Sequence, residues 1–170
     1  MNQPERAGRR RLPPGSHGIP ADVVARNQRE RLVAAVAEEC AEKGYAETSV
    51  AAIAKRAGVS TVTFYKQFAD KQDCMLAAHE QLLKRLLERA EGLPEIVELL
   101  AADPPSARLV TVEILAVGSE GMKLHDAAVT ALAERLGWDW VKTAGVLALI
   151  GKYVMAGEAK RLPELASELR

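Results

Sequence analysis

From Asp22 onward, apolar side chains fall at intervals of three and four residues, and that spacing most constrains this chain. A period near 3.6 lines residues along one stripe of a helix, whereas a half-buried strand needs a period of two. Leu32, Val33, Val36, Ala37, Cys40 and Ala41 make one such stripe. Met75, Leu76, His79, Leu82, Leu83, Leu86 and Leu87 make another. Neither useful strand alternation nor an internal repeat competes with this pattern, which predicts an all-α fold. Abundant Ala, Leu, Glu and Arg and only 4% aromatics point the same way.

Punctuation residues divide the pattern. Four of eight prolines lie in residues 1–20 with Arg6, Arg9, Arg10 and Arg11, so residues 1–21 are expected to form a flexible basic arm. Helix 1 runs from about Asp22 to Gly44. Thr48 and Ser49 are N-cap candidates for a short second helix, and Ser60 caps a third over Thr61–Phe68. Asp70 opens a long fourth helix that Gly92 and Pro94 are expected to end. Helices are then expected at Glu95–Ala101, from Ser106 to about Gly118, at Ala127–Leu136 and at Ala144–Ala156. The last of these is apolar nearly all round, and a final helix begins near Pro163. These segments predict three units: the arm, a head over residues 22–73 and a helical body over residues 74–170.

A length of 170 residues suits one domain or two small ones sharing a core. No apolar run approaches the roughly 20 residues that span a bilayer. The first 20 residues have no apolar segment of a secretory signal. Cys40 and Cys74 are too few for a disulfide framework and read as small buried hydrophobes, which fits a cytoplasmic setting. Formal net charge is zero, which by itself disfavours a phosphate-binding surface. The average hides polarity: residues 1–73 carry 12 basic and 9 acidic residues, and residues 74–170 carry 11 and 14.

The stretch Thr48-Ser49-Val50-Ala51-Ala52-Ile53-Ala54-Lys55-Arg56-Ala57-Gly58-Val59-Ser60-Thr61-Val62-Thr63-Phe64-Tyr65-Lys66-Gln67-Phe68 reads as two short helices about a tight turn. Ala54 is small where the helices cross. Gly58, four residues on, can take the left-handed conformation the turn needs. Ile53, Val59 and Phe64 close the space between them, and the second helix would enter a major groove. The run from Gln28 to about Glu80 resembles the DNA-binding domain of the TetR family of bacterial transcriptional regulators. The lead-in 12–20 and the segment 68–74 look like an actinobacterial subgroup of it.

That resemblance implies roles residue by residue. Thr48, Ser49, Tyr65 and Lys71 fall on phosphate-contacting positions; Ser60, Thr61, Val62 and Lys66 fall on base-contacting ones. Ala51 stands where the family often has a polar or basic residue, and Gln67 where His or an aromatic is common. The recognition helix has no Arg. Thr61 and Val62 can pack on a thymine methyl, and the Arg9–Arg11 arm would add minor-groove or phosphate contacts. Tyr45, Phe64 and Phe68 read as core.

In the family the body dimerises and binds a small molecule. The dimer interface is expected at Val146, Ile150, Tyr153, Val154, Leu165 and Leu169. A pocket for a small apolar or amphipathic effector is expected at Met75, His79, Leu83, Leu109, Val112 and Glu113, with Trp138 and Trp140 nearby. About 90 residues follow the middle of helix 4, fewer than the family usually has, so the pocket is expected to be small, incomplete or absent.

The function expected is a homodimeric repressor on a palindromic double-stranded operator, released by an effector; the alternative is a constitutive or partner-dependent DNA binder. No enzyme is expected, because no Gly-rich phosphate loop, nucleophile–base set or metal-ligand spacing is evident. No cofactor, metal or membrane partner is expected either.

Overall fold

The computed structural model describes residues 20–168, and every element among them is helical. In chain order these are α1 (Ala21–Lys43), α2 (Val50–Ala57), α3 (Thr61–Gln67), α4 (Lys71–Arg89), α5 (Leu93–Ala102), α6 (Pro104–Thr111), α7 (Ser119–Leu136), α8 (Trp140–Met155) and α9 (Leu162–Glu168). Short 3-10 turns at Glu113–Val117 and Ala159–Arg161 complete the path. The all-α expectation holds. The Arg9–Arg11 arm lies outside the described residues.

The long α1 organises the molecule by packing against α2, α4 and α6. Its stripe is buried at Leu32, Val36, Ala37 and Cys40. Cys74 is also buried, and both thiols are free. Burial pushes each thiol above its ordinary pKa, as expected of inert core cysteines. One apolar core runs without a break from Ile53 and Phe64 in the head to Ile150 and Leu162 in the body. The expected head–body boundary at residue 73 falls inside the first turn of α4, a helix that serves both parts.

Several boundaries move for identifiable reasons. Pro94 does not end α4; it sits in the first turn of α5, where a missing N–H costs nothing. The Glu95 carboxylate accepts the Gly92 N–H at 2.9 Å and starts that helix. Asp103 ends α5 and also caps α6, with Pro104 and Pro105 inside the first turn of α6. The helix expected over Ser106–Gly118 breaks at Val112 (φ −128°, ψ −61°) and continues as the 3-10 turn. Helix α7 begins eight residues earlier than the apolar pattern suggests. Its early residue Gly121 allows this: a Cβ there would lie 2.1 Å from the Ile114 carbonyl oxygen.

Candidate nucleic-acid interface

Two serines set the ends of the reading unit. Ser49 Oγ accepts the Ala52 N–H at 3.2 Å, and Ser60 Oγ accepts the Thr63 N–H at 3.0 Å. Each thereby satisfies one of the donors that a helix start leaves open. Between them Gly58 is left-handed (φ 64°, ψ 38°), and the Val59 N–H returns to the Ala54 carbonyl at 3.0 Å. Ile53, Ala54 and Phe64 are buried beneath the turn. The sequence reading of this motif holds in detail.

Two arginines of α1 secure the far ends. Arg29 donates to the Gln67 carbonyl at 2.8 Å and lies over the Phe68 ring at 4.2 Å. Arg31 donates to the Ala57 carbonyl. Guanidinium groups thus meet the last carbonyls of α3 and α2, where the helix dipole favours positive charge. Sequence reasoning left these roles unassigned, since helical spacing puts both residues on the outer side of α1. Arg56 also ties α2 to α1, meeting Glu39 Oε1 at 2.6 Å and Glu42 Oε2 at 2.5 Å. Hydrogen bonds from Lys43 and Arg56 hold the buried Glu39 carboxyl below its usual pKa.

This frame leaves one face of α3 open. Ser60, Thr61, Val62, Tyr65 and Lys66 are exposed together, with Val62 at 65% and Tyr65 at 59%. Phe64 and Phe68 are buried, so the division of the aromatics is as expected. The Tyr65 ring stands edge-on to Phe64 (centroids 5.5 Å apart, 83° between planes), which fixes its body and leaves the hydroxyl outward. Ser49 and Lys55 are exposed on α2.

Two residues of the expected phosphate set face elsewhere. Thr48 is buried, and its hydroxyl donates to the Gly44 carbonyl at 2.8 Å. It shapes the α1–α2 turn and presents no atom to the surface. Lys71 bends back instead of extending. Its ammonium donates to the Tyr45 carbonyl at 2.7 Å and sits 4.2 Å from the centre of the Tyr45 ring.

Behind the head, Glu113 joins the body to the same turn. Its Oε2 accepts the Tyr45 backbone N–H at 2.8 Å, and Oε1 accepts from Arg108 Nε at 2.8 Å. Arg108 Nη1 in turn donates to the Ala41 carbonyl at 2.8 Å. Glu113 is therefore spent inside the chain and does not line an effector pocket.

The expected pocket set separates further. Met75 and Leu109 are fully buried in the core, and Val112 packs beside Gly151. Trp140 is exposed at the start of α8. Trp138 belongs to a different small cavity with Leu93, Ile96 and Ile150. His79 and Leu83 share a cavity, and there they are joined by His125.

The expected dimer set needs a larger correction. Val146, Ile150 and Val154 are buried within the chain, and Tyr153 is half-buried beside Arg161. The Leu165 side chain and Leu169 lie outside the described residues. The open face of α8 is instead Val141, Gly145, Ala148, Lys152 and Met155, with Val141 75% exposed. A helix apolar on all sides gives its large residues to its own core first, and what remains is the surface stripe.

Among the described residues no cluster of three or more His, Cys, Asp or Glu is placed to hold a metal, and no helix is long and apolar enough to cross a membrane.

Comparison with known proteins supports this geometry. Residues 32–78 match the sequence model described as "Bacterial regulatory proteins, tetR family". An uncharacterized HTH-type transcriptional regulator of Mycobacterium tuberculosis is 34% identical over 103 residues, covering 59% of this chain and 51% of that protein. The HTH-type transcriptional regulator EthR of Mycolicibacterium smegmatis is 37% identical over 89 residues, 52% of this chain and 40% of that one. The chain spans about half the length, or less, of these relatives. Among solved structures, the fatty acid degradation regulator FadR from Bacillus halodurans shares the fold. Its TM-score is 0.62 at 20% identity, covering 84% of this chain and 92% of that one. The transcriptional regulator FadR from Bacillus subtilis, solved with stearoyl-CoA, gives a TM-score of 0.54 at 22% identity, covering 82% and 94%. These matches make the N-terminal segment, with its capped helix-turn-helix, similar to the tetR family of bacterial transcriptional regulators, and the all-helical fold is shared with the two FadR structures.

Proposed function

We propose that the chain is a cytoplasmic homodimeric repressor that reads a palindromic double-stranded operator and is released by a small molecule. The exposed face of α3 carries the reading. Val62 and Tyr65 are large apolar groups held outward on a seven-residue helix fixed at both ends, by Ser60 and by Arg29. Burial of such groups stabilises, so their exposure on a rigid frame suits a surface completed by DNA. Thr61, Val62 and Lys66 are assigned to bases; Ser49, Ser60 and Tyr65 are assigned to phosphate. Two such helices must meet successive major grooves about 34–36 Å apart, which requires a dimer. The open stripe of α8 is the surface assigned to that contact.

Release would follow from the Glu113–Tyr45 bond, since any shift of the 3-10 turn after α6 would pull on the turn before α2. An effector changes the DNA-competent population only through unequal affinity for the two states. Fluorescence anisotropy with DNA flanking the protein's own gene tests the reading: saturable, salt-dependent binding lost in Tyr65→Ala supports it, and binding indifferent to that change overturns it.

A second reading has its own observation. The two small cavities inside the body each hold only about 10 Å³. Cavities this small beside His79 and Trp138 also suit a constitutive DNA binder, and operator affinity unaffected by any effector would favour that reading.

A further inference from the structure

Among the described residues, three buried side-chain polar atoms have no hydrogen-bond partner: His79 Nδ1, His79 Nε2 and His125 Nδ1. All belong to two imidazoles that line one cavity between α4, α5, α6, α7 and α8. His79 is 1% exposed. The rest of the lining is apolar: Leu83, Leu86, Leu100, Val110, Ala128, Leu132 and Leu147. An unpaired buried polar group destabilises the fold, because its lost hydration is not replaced. An apolar side chain at position 79 would fill the same space without that cost, so the imidazole is poorly explained by packing alone.

We propose that this cavity is the closed form of an effector site, that His79 and His125 are its polar end, and that its ligand class is an uncharged, compact, largely apolar molecule bearing a hydroxyl. The inference rests on the reading of the body as a ligand sensor.

The chemistry of the lining selects that class. A neutral imidazole offers one donor and one acceptor. A hydroxyl both accepts and donates, so it can bridge the N–H of one ring and the bare nitrogen of the other. Among the described residues no Lys, Arg, Asp or Glu lines the cavity. Burial, aided by the neighbouring His125, lowers the pKa of His79 to about 4. The ring is therefore neutral near pH 7 and offers no charge to a carboxylate or a phosphate. An anion entering here would lose its hydration with no cation to replace it. The route in is also defined: of the lining side chains only Leu83 and His125 are part-exposed. Since the closed cavity holds only about 10 Å³, entry requires those two to turn outward.

The test uses three probes of matched shape: phenol, toluene and benzoate. Each is titrated into the full chain by calorimetry, with the His79 ring proton followed by NMR. Phenol is expected to bind at least tenfold more tightly than toluene or benzoate and to shift the His79 resonance. His79→Leu, which keeps volume, should erase that preference. Toluene binding as well as phenol, benzoate binding best, or no probe binding to folded protein each overturns the proposal; the last leaves the imidazoles to a bound water. Operator affinity is measured in the same samples. Phenol selectivity without any change in DNA binding would sink the ligand-release reading and leave the site standing. DNA release by some other compound without phenol binding would do the reverse.

Discussion

Glu113 Oε2 lies 2.8 Å from the Tyr45 backbone nitrogen, joining residues 68 apart in sequence. Through this bond the body holds the turn that aims α2 and α3. Lys71 holds the same turn from the other side through the Tyr45 carbonyl. Tyr45 is thus gripped on both sides of its backbone, by the body and by the start of α4.

Removing Glu113 should loosen that grip. Glu113→Ala leaves the Tyr45 N–H without its acceptor and the part-buried Arg108 without its carboxylate, holding only the Ala41 carbonyl. We expect a loss of about 2–4 kcal/mol in urea unfolding and weaker operator binding. Loss of stability with unchanged DNA affinity would make the bond structural only.

Contacts on α3 should separate by chemistry. Tyr65→Ala and Lys66→Ala are expected to leave stability within about 0.5 kcal/mol, because both side chains are exposed. Each should weaken DNA binding, Lys66→Ala reducing the salt slope by about 1 if it reaches phosphate and relaxing sequence preference if it reaches a base. Thr61→Ala should alter sequence preference rather than salt slope. Lys71→Ala should cost stability as well as affinity, through the freed Tyr45 carbonyl. Titrations at several salt concentrations decide among these outcomes.

Two glycines should respond in opposite ways. A Cβ on Gly121 would strike the Ile114 carbonyl oxygen at 2.1 Å, whereas a Cβ on Gly145 meets nothing within 4 Å. Gly121→Ala is expected to destabilise by about 3 kcal/mol or more, since backbone must move. Gly145→Ala should stabilise the folded chain by up to about 1 kcal/mol. Thermal unfolding of the two variants provides the comparison.

Acid should weaken the fold through His79. Its pKa falls from 6.5 to about 4 on folding. Above pH 6.5 the ring is neutral in both states and the stability is fully present. Between pH 6.5 and 4 the unfolded chain takes a proton that the folded chain refuses, so stability drops as pH falls. The loss levels off below pH 4 at roughly 3 kcal/mol. His79→Leu should flatten the curve in that window. What slope remains toward pH 4 is expected from the Glu39 carboxyl, held below its ordinary pKa by Lys43 and Arg56.

The open stripe of α8 should govern assembly. Ala148→Glu places a charge in the middle of that stripe and is expected to convert a dimer to a monomer in analytical ultracentrifugation, with the helix content retained. Ile150→Ala, at a position buried within the chain, should instead destabilise each protomer by about 2–5 kcal/mol. If Ala148→Glu remains dimeric, the contact lies on another face.

Much of the head was legible because its determinants are local. Ser49, Gly58, Ser60 and Phe64 act within a few residues of themselves, so cap, turn and buried ring follow from spacing. The body was less legible for the same reason. The pairing of Glu113 with Tyr45 joins residues 68 apart, and no local spacing signals it.

The sequence by itself determined the helical class, the capped reading motif and the division of aromatics into buried Phe64 and exposed Tyr65. Periodicity and capping are properties of neighbours along the chain. Only the tertiary structure decided that Val146, Ile150 and Val154 belong to the protomer's own core. It also turned Thr48 and Lys71 inward and set His79 beside His125 in an apolar cavity. Those outcomes depend on which apolar face finds a partner first and which polar atom is left without one, and neither is encoded in local spacing.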